Sequence, residues 1–363
     1  MMLMKNKTNV LILCPYPFGS APGQRFRYEQ YLEILKNANI QTATAPFLSF
    51  RAMKILYQPG HYLLKTWNVV LGFFFRCLLM FQVFNYDYIF IHREASPIGP
   101  PVFEFLLFLF KRKVIYDFDD AIFVRRVSKA NPFLGFIKWT SKVKYICTHA
   151  YKVAVCNPFL VDWAAQYNHH VVLIPTTIDS EYHRPLKKNR EKGSMPVIGW
   201  TGSQSNLAYL DIVRPALSRL QKKYTFEFRV ICDIDPCCSE LKNYHFVKWC
   251  LETEITDLNV FDIGLMPVPE GAWEKGKVGF KAIQYSALEI APVVSSTGSG
   301  HEVVEDGKTG FVVDNAESDW YQALEKLLAD PELIVKFGKA ARERILERYS
   351  VLSQTKAYVS LFQ

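Results

Sequence analysis

Short apolar runs rich in β-branched and aromatic residues alternate with amphipathic stretches along most of the chain. In the first half, such runs begin at positions 9, 86, 113, 152 and 170, and they include NVLILC and KVIYDF. Stretches with helical spacing, such as FRYEQYLEILKNA and PPVFEFLLFLFK, lie between them. Apolar runs of this length are typical of buried strands. Strands that alternate with helices predict a parallel sheet covered on both faces.

The alternation is interrupted once and then resumes. The polar, basic stretch RPLKKNREKGSMP at 184 to 196 has the composition of a linker. Beyond it, apolar runs begin at 197, 225, 245, 261, 291 and 310, and LAYLDIVRPALSRLQKKY predicts a long helix. The pattern therefore predicts an α/β chain with two Rossmann-like domains. We expect them at 1–190 and 191–345, followed by a C-terminal helix at 346–363 that can pack back on the first domain.

Composition narrows the possible partners. The chain has 363 residues and a formal net charge of +8, which favours acidic partners such as phosphorylated small molecules, an anionic membrane or nucleic acid. The basic residues are scattered and no recognition motif occurs, so nucleic acid is not an expected partner. Eight cysteines without a CxxC pair predict neither a zinc site nor a disulfide framework. A reducing cytoplasm is the simplest compartment.

One segment approaches the length of a membrane span. Residues 62 to 84 read YLLKTWNVVLGFFFRCLLMFQVF, but Lys65 and Arg76 interrupt the apolar run. We favour a core helix of an α/β layer over a helix that lies in a membrane interface. The basic composition leaves peripheral contact with an anionic membrane open.

Loops that follow strands are the first place to look for a site, because ligands of open parallel sheets bind at the carboxyl ends of the strands. After the first strand, Gly23, Arg25 and Arg27 can hold a phosphate or an acceptor, or they can form a solvated connection. Two further groups of ionisable residues follow strands: His92, Arg93 and Glu94, then Asp117, Asp119 and Asp120. The carboxylates can bind Mg²⁺, transfer protons, accept hydrogen bonds from sugar hydroxyls or cap the next helix.

The second half contains two loops suited to an anion. Gly202 and Ser203 precede a helix, so their backbone N–H groups and hydroxyl can bind an anion or simply form a capped turn. EKGKVGFKAIQY concentrates lysines before a helix, although an isolated helix start prefers carboxylates.

The stretch FDIGLMPVPEGAWEKGKVGFKAIQYSALEIAPVVSSTGSGHEVVEDGKTGFVV at 261 to 313 resembles the nucleotide-sugar domain of retaining glycosyltransferases of the GT-B fold, group 1 type. That family builds bacterial polysaccharides. APGQRFRYEQYL, YDFDDAIF and IPTTIDSEYHRP in the first half are similar to one of its subgroups. The resemblance implies two Rossmann-like domains that face each other across a cleft.

The resemblance also implies a donor site with unusual residues. Aligning Gly279 with the family glycine puts Gly276 and Gln284 where two glutamates usually stand, and Gln284 can still bind a ribose hydroxyl. Lys277 and Lys281 replace the usual diphosphate-binding base, and Glu289 replaces a glycine. The implied donor-binding residues are Gly202, Ser203, Lys277, Gly279, Lys281, Gln284, Tyr285, Gly298 and Glu302.

The loops after the strands, taken together with the resemblance, give the catalytic and acceptor-side residues. The implied catalytic residues are His92, Asp119, Asp120, Lys277 and Lys281. The implied acceptor or phosphate-side residues are Gly23, Arg25, Arg93 and Glu94. No nucleophile, cofactor or metal site is assigned, because cationic side chains can neutralise the leaving diphosphate in place of Mg²⁺.

The sequence thus predicts a cytoplasmic retaining glycosyltransferase, at the inner face of a membrane if it binds one. It would move a sugar from a nucleoside-diphosphate sugar to a glycan or lipid-linked acceptor in surface polysaccharide or glycolipid synthesis. The missing glutamates keep open a non-catalytic nucleotide-sugar-binding or scaffold protein on the same fold. A nucleotide-sugar 2-epimerase is a weaker alternative, because the carboxylate and histidine pattern that it needs is not found.

Overall fold

The computed structural model describes residues 7–56, 58, 60–125, 139–186 and 194–363. The chain divides into two compact units. The first comprises Met1–Thr176 and Gln354–Gln363, and the second comprises Thr177–Ser353. The predicted boundary between 190 and 191 lies outside the described residues.

The first unit contains a parallel six-stranded sheet in the order β2-β1-β3-β4-β5-β6. Its strands are β1 Thr8–Cys14, β2 Ile40–Pro46, β3 Tyr88–His92, β4 Lys113–Phe118, β5 Lys152–Val155 and β6 Val171–Leu173. The five strands predicted here are confirmed. The edge strand β2 was not predicted, because its sequence IQTATAP is polar and only half-buried.

Helices cover this sheet. They are α1 Pro22–Arg25, α2 Leu32–Asn37, α3 Phe50–Leu56, α4 Tyr62–Met80, α5 Val102–Leu109, α6 Lys142–His149 and α7 Pro158–Ala165. The end of the chain packs in the same unit: the Tyr358 ring stacks on Tyr31 at 3.9 Å between centroids, and Lys152 Nζ donates to the Ser360 carbonyl at 2.9 Å. Burial of these aromatic rings holds the chain end to the first sheet.

The second unit repeats the architecture with the strand order β12-β11-β10-β7-β8-β9, and all its pairs are parallel. Its strands are β7 Val197–Thr201, β8 Glu227–Cys232, β9 Tyr244–Lys248, β10 Ile263–Met266, β11 Ala291–Ser295 and β12 Phe311–Val313. Every one of these strands was predicted from its apolar run. Its core includes Trp200, Phe228, Leu217, Trp320 and Leu324.

The helices of the second unit are α8 Arg214–Leu220, α9 Glu254–Leu258, α10 Ala272–Lys275, α11 Phe280–Ala287, α12 Gly300–Val303, α13 Glu317–Ala329 and α14 Pro331–Arg348. The last helix, α15 Val351–Ser360, begins in this unit, and its residues from Gln354 onward belong to the first unit. The prediction of one long helix after β7 was wrong. A 3-10 segment, Gln204–Ile212, precedes α8. Pro215 in the first turn of α8 has no N–H, so it cannot continue a helix from the preceding residues.

Two glycines of the second sheet leave space for aromatic rings. A Cβ on Gly264 would lie 2.4 Å from the Tyr285 ring, and a Cβ on Gly199 would lie 2.2 Å from the Phe261 ring. Tyr285 belongs to α11, so the missing side chain at Gly264 fixes the distance between helix and sheet. This close approach determines where the first turn of α11 lies relative to the end of β7.

The preference for a core helix at 62 to 84 was wrong. Among the described residues, α4 is the one helix that is long and apolar enough, by length and composition, to cross a membrane. Only 17% of its apolar 18-residue stretch is buried. Gly72 packs against the Phe47 ring, and Arg76 donates to the carbonyls of Ala45 and Cys14. The remaining face of α4 is exposed although it is apolar.

Candidate functional site

The second unit brings two lysines together beside two aromatic rings. Lys281 Nζ lies 4.5 Å from the centre of the Trp200 ring, and Lys277 Nζ lies 4.4 Å from the centre of the Tyr209 ring. Lys277 also donates to Asn206 Oδ1 at 2.8 Å. We call these five residues the lysine cluster. It lies where β7 ends and α11 begins, the position at which parallel sheets bind ligands.

Local backbone geometry explains why the lysines converge. Lys277 lies in the loop before α11 and Lys281 lies in its first turn, so the two do not share one helical face as their spacing would suggest. A Cβ on Gly202 would lie 2.5 Å from the Trp200 ring and 3.0 Å from Lys281 Nζ. Gly202 therefore leaves the space into which the Lys281 side chain extends.

The electrostatics of the cluster favour an anionic ligand. Burial, helped by the nearby Lys277 ammonium, lowers the pKa of Lys281 to about 7. In the part of the chain that the structure describes, no carboxylate pairs with the Lys281 ammonium. Two neighbouring ammonium groups repel each other, and an anion bound between them removes that cost.

A second loop completes this region. The Ser299 N–H donates to the Lys277 carbonyl at 3.0 Å, and a Cβ on Gly279 would lie 2.8 Å from the Ser299 carbonyl oxygen. Gly298 has a φ of 75°, which favours glycine. Burial raises the pKa of Glu302 to about 7, although the Ser299 hydroxyl opposes the shift. The residues predicted from the two loops therefore do lie side by side.

Three other predicted donor residues have different surroundings. The Tyr285 hydroxyl accepts from the Thr201 N–H at 3.0 Å and donates to the Leu265 carbonyl at 3.2 Å, so it joins two strands and is not available to a ligand. Gln284 is buried on α11, one turn after Lys281. Ser203 Oγ lies 2.9 Å from Ser205 Oγ in an exposed turn.

In the first unit, an arginine binds two of the predicted carboxylates. Arg93 Nε donates to Asp119 at 2.7 Å, and its Nη2 donates to Asp120 at 2.6 Å. Gly23 faces this pair, because a Cβ there would lie 3.0 Å from Asp119 Oδ2. Arg93 has a φ of 60°, an uncommon value for a residue that is not glycine. Burial favours the neutral form of Asp119, but Arg93 outweighs it and holds its pKa below the usual range.

Asp117 forms a separate, deeper group. It accepts from the Arg27 guanidinium, and its Oδ2 lies 2.7 Å from His92 Nδ1. Burial opposes its ionisation, but Arg27 and His92 hold the pKa of Asp117 below its usual range. Arg27 also donates to the Ile174 carbonyl and is buried, so the interpretation of Arg27 as a solvated side chain was wrong.

The remaining first-unit residues have other partners. Glu94 pairs with Lys142 at 2.7 Å, and Arg25 lies 4.9 Å from the centre of the Phe26 ring. Over the described residues, no group of three or more His, Cys, Asp or Glu could hold a metal.

Sequence reasoning missed the aromatic and amide partners of the lysines. Trp200 is the last large side chain of a buried strand, Asn206 lies in the 3-10 segment that follows it, and Tyr209 lies in the segment mistaken for a long helix. Their position at or just beyond the end of β7 was the available signal, but nothing in the pattern showed that their side chains meet a loop some 70 residues further along.

Residues 195–330, which contain the whole lysine cluster, match the family model described as Glycosyl transferases group 1. This segment is therefore similar to the group 1 glycosyltransferases. Two curated proteins are similar to this chain over shorter stretches. An alpha-maltose-1-phosphate synthase from Mycolicibacterium smegmatis is 35% identical over 80 residues, which are 20% of this chain and 21% of that protein.

The second relative is a poly(ribitol-phosphate) alpha-N-acetylglucosaminyltransferase from Staphylococcus aureus. It is 27% identical over 124 residues, which are 31% of this chain and 25% of that protein. The match thus spans about a fifth to a quarter of these two proteins.

Solved structures of glycosyltransferases share the fold over nearly the whole chain. A glycosyltransferase from Rickettsia africae has a TM-score of 0.71 at 15% identity, covering 99% of this chain and 98% of that one. Anabaena HepE, solved with UDP and glucose, has a TM-score of 0.66 at 12% identity, covering 98% and 99%. At these identities the likeness establishes the GT-B type of fold alone.

Proposed function

We propose that this chain is a retaining glycosyltransferase that uses a nucleoside-diphosphate sugar. The acceptor would be a glycan or a lipid-linked glycan of bacterial surface polysaccharide or glycolipid synthesis, and the reaction would take place in the cytoplasm. The observation that carries the proposal is the lysine cluster, which lies within the segment that matches the family. The relatives support the class of reaction, since one is named as an N-acetylglucosaminyltransferase and another was solved with UDP and glucose.

Lys277 and Lys281 would bind the donor diphosphate. As the bond to the sugar breaks, negative charge grows on the departing diphosphate, and ammonium groups fixed beside it stabilise the transition state. Lys281 suits this role because its position beside Trp200 and Gly202 is set before any ligand binds. Gln284 would hydrogen-bond a ribose hydroxyl, where the family usually has glutamate.

The first-unit group would bind the acceptor. Asp119 and Asp120 are held by Arg93, and a carboxylate whose pKa lies below its usual range is a poor proton carrier near neutral pH. We therefore propose that Asp119, Asp120 and Arg93 hydrogen-bond acceptor hydroxyls. His92 would act through its buried contact with Asp117, and no nucleophile is assigned.

The test is donor turnover by the purified chain across UDP- and GDP-sugars with lipid-linked and soluble glycan acceptors. We expect Lys281→Met to lower kcat by about a hundredfold or more, the range found when one charge-stabilising donor is removed. Lys275→Met is the matched control, because Lys275 is an exposed lysine of the same region. Proton NMR of the product should show the anomeric configuration of the donor retained. Nucleotide-sugar binding without turnover on any acceptor would favour the non-catalytic alternative.

A further inference from the structure

The exposed face of α4 is apolar along its whole length. Its large side chains there are between 46% and 91% exposed, and they recur every three or four residues, so they form one stripe. The stripe comprises Leu63, Trp67, Val70, Phe74, Leu78 and, just beyond the helix, Phe81. A soluble helix normally presents polar side chains on the face away from the core.

The opposite face of α4 is fastened to the first unit. Val69 and Phe73 pack on the cluster around Phe47, and Gly72 gives the Phe47 ring its space. Arg76 is buried, and its Nη1 donates to the Ala45 carbonyl at 3.0 Å. This face is packed from Val69 to Met80, so α4 lies along the unit over that stretch and cannot cross a bilayer without breaking these contacts.

A neighbouring helix extends the exposed apolar surface. The Phe73 ring of α4 packs against Phe103 of α5 with centroids 5.8 Å apart. On α5, Val102, Phe105 and Leu109 are at least 50% exposed and follow helical spacing. The α4 stripe and these three side chains together are called the apolar face. Patches of this kind on a soluble protein mark an interaction surface.

The charges around the apolar face identify its partner. Residues 34 to 86 contain no aspartate or glutamate. The same segment carries exposed Arg51 and Lys54 on α3, which packs against α4, and half-buried Lys65 on α4 itself. We propose that the apolar face docks on the surface of an anionic lipid bilayer, with α4 lying in the plane of the interface. Exposed apolar side chains, here including Trp67, together with exposed bases on an adjacent helix are the features that such surfaces use.

A second copy of the chain fits this surface less well. In a twofold dimer the same patch meets itself, so the bases beside the stripe would approach like charges with no acidic residue of the segment to offset them. Anionic headgroups supply the missing counter-charge. The inference concerns a surface of the first unit and does not depend on the proposed transferase activity.

Flotation of the full chain with vesicles tests the proposal. We expect binding to vesicles of phosphatidylcholine with 30 mol% phosphatidylglycerol, and much weaker binding to phosphatidylcholine alone. Trp67→Glu combined with Phe74→Glu should weaken binding by about a hundredfold, since two large apolar side chains leave the interface. Val335→Glu is the matched control, because Val335 is an exposed apolar residue of a helix in the second unit.

A second pair of variants removes charge without touching the stripe. Arg51→Ala combined with Lys54→Ala should weaken binding to the anionic vesicles by about 25-fold, at roughly fivefold for each base. Lys242→Ala, an exposed lysine of the second unit, should bind as the unchanged chain does. The proposal would be overturned if both double variants bound the vesicles as well as the wild type, or if the wild-type protein did not bind them at all. A dimer in solution that Trp67→Glu combined with Phe74→Glu abolishes would instead identify a second copy as the partner, and would also overturn it. So would bound protein that alkaline carbonate fails to release, because that behaviour indicates a helix inserted across the bilayer.

Discussion

The lowered pKa of Lys281 predicts that diphosphate binding depends on pH and takes up a proton. Without ligand, burial and Lys277 hold this pKa at about 7. A bound diphosphate would stabilise the charged form and return the pKa towards the ordinary lysine value of about 10.4. UDP is a suitable probe between pH 7.5 and 9, because its phosphates, with a second pKa near ~6, are then fully ionised.

The size of the effect follows from the fraction of Lys281 that is charged. With a pKa of about 7 this fraction falls from about one quarter at pH 7.5 to about one hundredth at pH 9. The Kd for UDP should therefore rise roughly 20-fold over this interval, or about 1.9 kcal/mol. At pH 8, binding should take up about 0.9 proton. The unliganded protein should become more stable from pH 7 upwards, because the unfolded state then binds more protons at this lysine.

Calorimetric titration of UDP in buffers with different ionisation enthalpies measures both the Kd and the number of protons taken up on binding. Lys281→Arg is the informative variant, because arginine keeps its charge across this range and should make the Kd nearly independent of pH. Lys275→Met should retain the wild-type pH dependence. A Kd that changes less than twofold in the unmodified protein, with no proton uptake, would refute this explanation of the site.

Three further predictions concern single positions. Asp117→Asn leaves the Arg27 guanidinium buried without its counter-ion and should lower the free energy of unfolding by about 3–5 kcal/mol in urea titrations; an effect under 1 kcal/mol would contradict the pairing. Gly23→Ala places a methyl group 3.0 Å from Asp119 Oδ2, so it should raise the KM for the acceptor about tenfold with little change in Tm. Unchanged kinetics would show that Gly23 does not contribute to acceptor binding. Glu289→Gly relieves a φ of 58° and should stabilise the fold by about 1 kcal/mol, a gain that Glu289→Ala should not show.

Hydrophobic periodicity predicted most of the fold because most strands are continuous apolar runs, including β6, β9 and β12, which are only partly buried. The exception, β2, is a half-exposed edge strand, and its polar positions hid it. Helices were harder to predict, because the elements that pack against a helix decide where it ends and which of its faces is buried. Residues 62 to 84 have the composition of a core helix, and only the tertiary structure shows that one face of α4 is left exposed. Pro215 was the one local signal that could have divided the helix predicted after β7.

The lysine loop was recognisable from the sequence, but its surroundings were not. Lys277 and Lys281 stand out as bases before a helix, and Gly202 marks a turn after β7. That Trp200 and Lys281 are in contact depends on the distance between α11 and the sheet, which the missing side chain at Gly264 sets. Likewise, three carboxylates close in sequence suggested metal or proton chemistry, and the fold instead gives each of them a cationic partner.

The central claim is that the lysine cluster binds the diphosphate of a nucleotide sugar, and comparison of UDP with uridine tests it most directly. Each ammonium–phosphate contact contributes about 1.5–3 kcal/mol, so UDP should bind at least about a hundredfold more tightly than uridine. In a variant that combines Lys277→Met with Lys281→Met, this difference should fall below about tenfold while the Kd for uridine stays the same. A double variant that still prefers UDP by the wild-type factor would contradict the claim.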